Sequence, residues 1–219
     1  MIKMVAFDFD GTIADTIPMC IEAFKKAISP YARYELTRHE ILQTFGLNET
    51  GMVRAVVKDN WEGALKDFYF YYEKMHDYCT EPFPQIYDLI EYLKEKNIMV
   101  ALITGKGQKS CDISLEKLGL ENCFSDILVG GETRNNKAES ISKLLKKYSF
   151  KIDEFYYVGD ALSDVTACRE IGATCLSAAW SDSADIEGLK KVNPDFIFTN
   201  ISDLKVFLES LCFNCDLMK

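Results

Sequence analysis

The sequence predicts an α/β fold, with a parallel-sheet, Rossmann-like core interrupted by an inserted α-helical cap domain. Three observations predict it. From about residue 82 onward, short runs that are apolar throughout, such as Ile98-Met-Val-Ala-Leu-Ile103, alternate with segments of helical periodicity. Strands of that kind are buried on both faces, as in a parallel sheet covered by helices. From about residue 15 to 80 the periodicity is helical, with no strand. A chain of 219 residues also suits one such domain with an insertion. The expected boundaries are 1–14 and 82–219 for the core and 15–81 for the cap.

Met4 to Phe7 is the first apolar run. Ile17, Ile21, Phe24 and Ile28 then fall at helical spacing, with Pro18 in the first turn, where it costs no hydrogen bond. Thr37-Arg-His-Glu40 is a capping-box signature for a second helix. Phe45 to Gly51 reads as a loop bracketed by glycines, with helical patterning resuming at Met52. Trp61, Leu65, Phe68, Tyr72, Met75 and Cys79 form a long aromatic stripe at helical spacing, best read as core. Pro82-Phe83-Pro84 is a stiff break. Behind it, helices around Leu89, Leu115, Ile141 and Val165 alternate with strands at 98–103, 126–129, 155–158, 173–178 and 196–198. The cap's two connections, near 13–16 and 79–84, lie close together, so the insert can act as a lid over the strand ends, where open α/β sheets bind ligands.

The formal net charge is −9, from 34 acidic and 25 basic residues. That argues against a nucleic-acid partner, which needs Lys and Arg to neutralise its backbone. A small phosphorylated ligand remains open, since local charge in a cleft decides its binding. The amino terminus lacks the layout of a signal peptide, and no run approaches membrane-spanning length. Eight cysteines without a scaffold spacing suit a reduced, cytoplasmic protein. Cys212-Phe-Asn-Cys215 is a lone C-x-x-C without the partners a zinc site needs, and reads as two small apolar residues.

The chemistry concentrates at strand ends. Asp8 and Asp10 follow the first strand, and residues two apart point to the same side. Two such charges ~4 Å apart repel by about 4 kcal/mol at an effective dielectric of ~20, which calls for a cation, a shared proton, or the turn that Asp10-Gly11 also encodes. Thr104-Gly105-Lys106-Gly107 offers a hydroxyl and flexible backbone amides where a helix begins, a cradle for an anion. Lys137 opens a helix at the same edge. Asp160 and Asp164 follow the 155–158 strand one turn apart, a spacing that also fits a capped helix start. Strand ends of a parallel sheet share one edge, so Asp8, Asp10, Asp160 and Asp164 converge beside Thr104 and Lys137. Four carboxylates against one ammonium demand a divalent cation, and all-oxygen ligands favour magnesium over zinc.

These residues resemble the four motifs of the haloacid dehalogenase superfamily: Asp8-Phe-Asp10-Gly-Thr12, Thr104-Gly105, Lys137, and Gly159-Asp160 with Asp164. The helical insert directly after the first motif is similar to the small cap of the phosphoglycolate-phosphatase-like branch. The likeness departs at Ala138 and Ser181, where that family commonly has proline and glycine. The resemblance implies that Asp8 attacks phosphorus to form an aspartyl-phosphate, and that Asp10 serves as acid and then base. It implies a magnesium ion on Asp8, the Asp10 backbone carbonyl and Asp160, with Asp164 holding a metal ligand or metal-bound water. It also implies that Thr104, Gly105 and Lys137 bind the phosphoryl oxygens.

The expected function is therefore a magnesium-dependent phosphatase acting on a small phosphomonoester such as phosphoglycolate, a sugar phosphate or a nucleotide-like compound. The alternatives are a phosphomutase on the same scaffold and a regulatory module that uses phosphorylated Asp8 as a signal. The 46–51 loop and Arg33, Arg38 and Arg54 are candidates to face the cleft from the cap. His39 and His76 read as surface or packing residues.

Overall fold

The computed structural model describes residues 1–213, so Cys215 and its relation to Cys212 lie outside the described residues. The strands are β1 (Met4–Phe7), β2 (Met99–Ile103), β3 (Asp126–Leu128), β4 (Phe155–Gly159), β5 (Thr174–Ala178) and β6 (Ile197–Phe198). They form one sheet in the order β3-β2-β1-β4-β5-β6, and each neighbouring pair is parallel. β1 is central, with Val5 opposite Val100 on one side and Tyr156 on the other. All six strands therefore end on one edge.

The alternation of side chains divides the core in two. Val5 and Phe7 join one apolar cluster, and Met4 and Ala6 the other. On the first face lie α5 (Ile86–Glu95), α6 (Gln108–Lys117) and α10 (Ile201–Phe213), through Ile86, Leu89, Leu115, Leu204 and Leu208. On the second lie α7 (Lys137–Tyr148), α8 (Leu162–Ile171) and α9 (Ile186–Val192), through Ile141, Leu144, Val165 and Leu189. Burial on both faces explains why the strands read as continuous apolar runs.

Between β1 and α5 stand α1 (Ile17–Ala32), α2 (Arg38–Leu42), α3 (Glu49–Val56) and α4 (Trp61–Met75), with no strand among them. α1 and α4 pack face to face, and the aromatic stripe lies in their seam: Phe24 of α1 meets Phe68 of α4 edge to face at 5.9 Å, and Phe68 sits tilted on Tyr72 of the same helix at 5.4 Å. The Thr37–Glu40 capping box forms on both sides, starting α2. The 45–51 loop is a correction to the sequence reading. Asn48 accepts the Gly51 N–H at 3.1 Å and starts α3 at Glu49, because a side-chain cap outweighs the poor helix propensity of Gly51. The carboxyl-terminal helices α9 and α10 also lie beyond what the sequence reading assigned.

Among the described residues, no helix is long and apolar enough to cross a membrane.

Candidate active site

The loop after β1 explains how two carboxylates come to stand at one strand end. Asp8 continues the ladder, its N–H donating to Val158 O at 2.8 Å. The chain then turns tightly around the Phe9 carbonyl, which accepts the N–H groups of Thr12, Ile13 and Ala14. Gly11 sits at φ +71, and a Cβ there would lie 2.3 Å from Asp160 Oδ2. The Asp10-Gly11 turn and the convergence of acids are thus one feature: the turn needs glycine because Asp160 fills the space beside it.

Asp8, Asp160 and Asp164 each bring a carboxylate oxygen within 4.8 Å of the others, and all three are buried. Lys137, the first residue of α7, reaches between them. Its Nζ donates to Asp8 Oδ2 at 2.6 Å and to Asp164 Oδ1. Asp8 Oδ1 accepts the Phe9 N–H at 2.8 Å, and Asp164 Oδ2 accepts the Ala161 N–H at 3.0 Å. Asp164 is therefore both a helix cap and a member of the cluster, so the two sequence readings hold together. Asp160 Oδ1 accepts a hydrogen bond from Thr12 at 3.4 Å.

Burial dominates the electrostatics. It pushes the Asp8 carboxyl up to about 6, against the pull of Lys137, with Asp164 adding to the rise. Burial and the charges of Asp8 and Asp164 raise Asp160 well above the usual carboxylate range. For Lys137 burial works against the charge, but Asp164 and Asp8 outweigh it and hold the ammonium above its ordinary value. One ammonium among three buried carboxylates leaves negative charge uncompensated, and hard oxygen donors at this spacing suit a divalent cation.

Asp10 turns elsewhere. Its Oδ1 accepts from Thr16 Oγ1 and pairs with Lys106 Nζ at 2.9 Å, so its side chain stands beside the three-carboxylate cluster, not in it. Thr104, at the end of β2, is fully buried, and its Oγ1 accepts the Lys106 N–H at 3.2 Å. Gly105 reaches the cavity wall; a Cβ on it would meet nothing within 4 Å.

These groups open into a cavity of about 140 Å³, lined by Asp8, Asp10, Asp160, Gly105, Lys106 and Lys137 from the sheet edge, and by Phe45, Gly46, Leu47, Glu49 and Met52 from the helical insert. The insert is tied down next to it. Asn48 donates its side-chain amide to Gly130 O at 3.1 Å and its backbone N–H to Gly131 O at 2.8 Å. A Cβ on Gly51 would lie 2.0 Å from Glu132 O, so α3 approaches the sheet edge backbone to backbone. Of the insert positions expected to face the cleft, Gly46, Leu47 and Glu49 of the 46–51 stretch line the cavity, while Arg33, Arg38 and Arg54 are exposed; His76 is buried in packing.

The sequence reading assigns no polar role to Lys106, Tyr72 or Thr16. Lys106 lies inside the Thr104–Gly107 stretch, where a lysine next to an anion cradle was a signal. Glu49 falls within the 46–51 stretch expected to face the cleft, and its place at the head of a helix is what that reading lacks.

Fold and site together define a class: α/β enzymes that work from acidic loops on the carboxyl edge of a parallel sheet, beneath a helical insert. Within it the match is specific. The family described as haloacid dehalogenase-like hydrolase matches residues 5–178, and the chain belongs to that family. A protein of Caldanaerobacter subterraneus named "Putative pyrophosphatase PpaX" is 31% identical over 206 residues, covering 93% of each chain. The pyrophosphatase PpaX of Bacillus pumilus is 26% identical over 93% of this chain and 94% of its own. Among solved structures, a hydrolase from Pseudomonas syringae superposes with a TM-score of 0.80 at 23% identity, covering 96% of this chain and 99% of that one. A protein of Haemophilus somnus described as a predicted phosphoglycolate phosphatase does so with a TM-score of 0.79 at 20% identity, covering 94% and 98%.

Proposed function

We propose that this chain is a magnesium-dependent phosphatase that hydrolyses a small phosphomonoester through an aspartyl-phosphate on Asp8. The observation that carries the reading is the meeting of Asp8, Asp160 and Asp164 around Lys137, with Asp10 opening into the same cavity. The family's hydrolase activity and the names of its relatives support it.

Asp8, Asp160 and Asp164, with the backbone carbonyl of Asp10, are the groups that would hold the ion. Bound there, a divalent cation screens the carboxylates and draws charge from the phosphoryl oxygens. Phe9 N–H and Lys137 Nζ hold the two Asp8 oxygens and aim the carboxylate at the cavity. The Asp8 oxygen forms a bond to phosphorus as the bond to the leaving oxygen breaks, and Asp10 donates a proton to that oxygen. Thr16 and Lys106 both hold Asp10 Oδ1, leaving Oδ2 for the reacting groups. In the second half, Asp10 takes a proton from the water that attacks the aspartyl-phosphate, releasing inorganic phosphate and restoring Asp8. Lys137 and the Gly105 amide bind phosphoryl oxygens whose charge shifts during both transfers. Apolar neighbours such as Ile17, Phe45 and Leu47 limit water in the cavity.

The test is turnover of a phosphomonoester panel with and without magnesium, by wild type and Asp8→Asn. We expect turnover only with the ion, and a loss of at least ~10³-fold in kcat for Asp8→Asn. An Asp8→Asn protein that keeps wild-type turnover overturns the assignment.

A further inference from the structure

The helical insert places a carboxylate on the wall of a cavity whose other wall is already acidic. Glu49 heads α3, is 4% exposed, and lines the cavity with Asp8, Asp10 and Asp160. Its Oε2 accepts the Gly107 N–H at 2.8 Å, and its Oε1 accepts the Ser110 hydroxyl. Those two contacts orient the group rigidly from the start of α6. A carboxylate has about four acceptor positions, so Glu49 keeps capacity for donors on a molecule in the cavity.

The cations nearby are spoken for. Lys106 is paired with Asp10, and Lys137, paired with Asp8 and Asp164, serves the phosphoryl group being transferred and no second one. Among the described residues no other lysine or arginine lines the cavity. Arg54, on the same helix as Glu49, turns outward to Glu132 and stacks over Trp61 at 4.0 Å. A second anionic group on a ligand would therefore meet Glu49 with nothing to neutralise it, whereas a hydroxyl or ammonium would find an acceptor. Phe45, Leu47 and Met52 beside it offer apolar contact to a carbon skeleton.

We propose that Glu49 is a specificity-determining residue that selects phosphomonoesters whose leaving alcohol carries hydrogen-bond donors and no second anionic group, as a sugar or amino-alcohol phosphate does. The inference rests on the phosphatase reading above and sets this chain apart from what the names of its pyrophosphatase and phosphoglycolate phosphatase relatives describe.

The experiment uses three phosphomonoesters of one two-carbon skeleton, differing only at the far end: 2-hydroxyethyl phosphate, 2-aminoethyl phosphate and 2-phosphoglycolate. Inorganic pyrophosphate is the fourth arm. For the wild-type protein with magnesium, kcat/KM for the hydroxyl and ammonium compounds exceeds that for phosphoglycolate and pyrophosphate by ~10–100-fold. Glu49→Gln keeps the volume and an acceptor oxygen while removing the charge, and it narrows that ratio to within about threefold. Ratios are read within one protein, so a change in overall activity does not enter. If Glu49→Gln fails to fold, the wild-type series decides alone. Wild-type preference for phosphoglycolate or pyrophosphate, or an unchanged ratio in Glu49→Gln, overturns the inference while leaving the phosphatase reading intact. No turnover of any arm, nor of p-nitrophenyl phosphate, refutes the phosphatase reading and this inference with it.

Discussion

Lys106 Nζ lies 2.9 Å from Asp10 Oδ1, and the lysine side chain is 2% exposed against 26% for the aspartate. The same ammonium donates to Tyr72 OH, on α4 of the helical insert. Tyr72 OH in turn meets Ser114 Oγ at 2.7 Å, and Ser114 Oγ meets His76 Nε2 at 2.9 Å. A buried polar chain thus runs from the strand-end acid of the core, through α4 and Ser114 of α6, to His76 where the insert returns to the core. For Lys106, burial opposes the charge, but Asp10 and Tyr72 outweigh it and hold the ammonium well above its ordinary value. The position of α4 and the orientation of Asp10 are therefore linked through one lysine.

That link is asymmetric in stability. Asp10→Ala strands a buried ammonium and should cost about 3–5 kcal/mol. Lys106→Met fills the same space with apolar atoms and leaves a partly exposed carboxylate that Thr16 still holds and a Tyr72 hydroxyl that keeps Ser114, so its cost should stay below about 2 kcal/mol. Urea unfolding of both variants checks the order; equal losses would contradict it.

Tyr72→Phe keeps the ring packed on Phe68 but removes the hydroxyl that joins Lys106 to Ser114. Two buried polar groups then lose a partner, at a cost of about 1–3 kcal/mol. The measurement is the shift in urea midpoint at constant m-value. A shift equivalent to less than ~0.5 kcal/mol would show that the hydroxyl is not part of a working network.

Gly11→Ala tests the crowding at the sheet edge. The added methyl both meets Asp160 Oδ2 and strains a backbone at φ +71. On the proposed metal site, displacing Asp160 should raise the magnesium concentration for half-maximal activity by ~10–100-fold. Magnesium titration of activity reads this directly, and an unchanged half-saturation point would separate Asp160 from the ion.

His76 supplies a pH dependence of stability. Burial lowers its imidazole from 6.5 to about 4, with the nearby Lys106 charge adding to the fall and the Cys79 carbonyl opposing it. In the unfolded chain the ring takes a proton near 6.5 and in the folded chain only near 4. The stabilising contribution is therefore complete above about pH 6.5 and is lost progressively as pH falls towards 4. The unfolding free energies of wild type and His76→Gln should converge over that window. A gap that stays constant from pH 7 to about 4.5 counts against a neutral buried ring.

Much of the architecture was legible because its causes are local or periodic. Ile98 to Ile103 announces a strand buried on both faces without help from the rest of the chain, and the Thr37–Glu40 capping box starts a helix from four residues. Asp8, Asp160 and Asp164 could be brought together in thought because parallel strands must end on one edge. The start of α3 was misplaced because Gly51 reads as a loop residue until Asn48 is seen to cap it. Lys106 passed as backbone scenery for the same kind of reason: its partner Tyr72 is separated from it by a break and a whole helix. The stripe containing Tyr72 does pack as core, as its spacing says, yet periodicity reports only which face is buried. It says nothing of where a phenol oxygen on that face ends up.

The sequence alone determined the sheet, the helical insert after the first strand, and the meeting of acids at one edge, because hydrophobic period and chain topology leave little choice in each. Only the tertiary structure decided which cations those acids receive and which insert residue looks into the cavity. Lys137 goes to Asp8 and Asp164, Lys106 to Asp10, and Glu49 turns inward where Arg54, on the same helix, turns out. The lysine pairings depend on how the loops and helices after β1, β2, β3 and β4 meet at the sheet edge, and the place of Glu49 on how α3 docks there. These are contacts between segments far apart in the chain that no local pattern encodes.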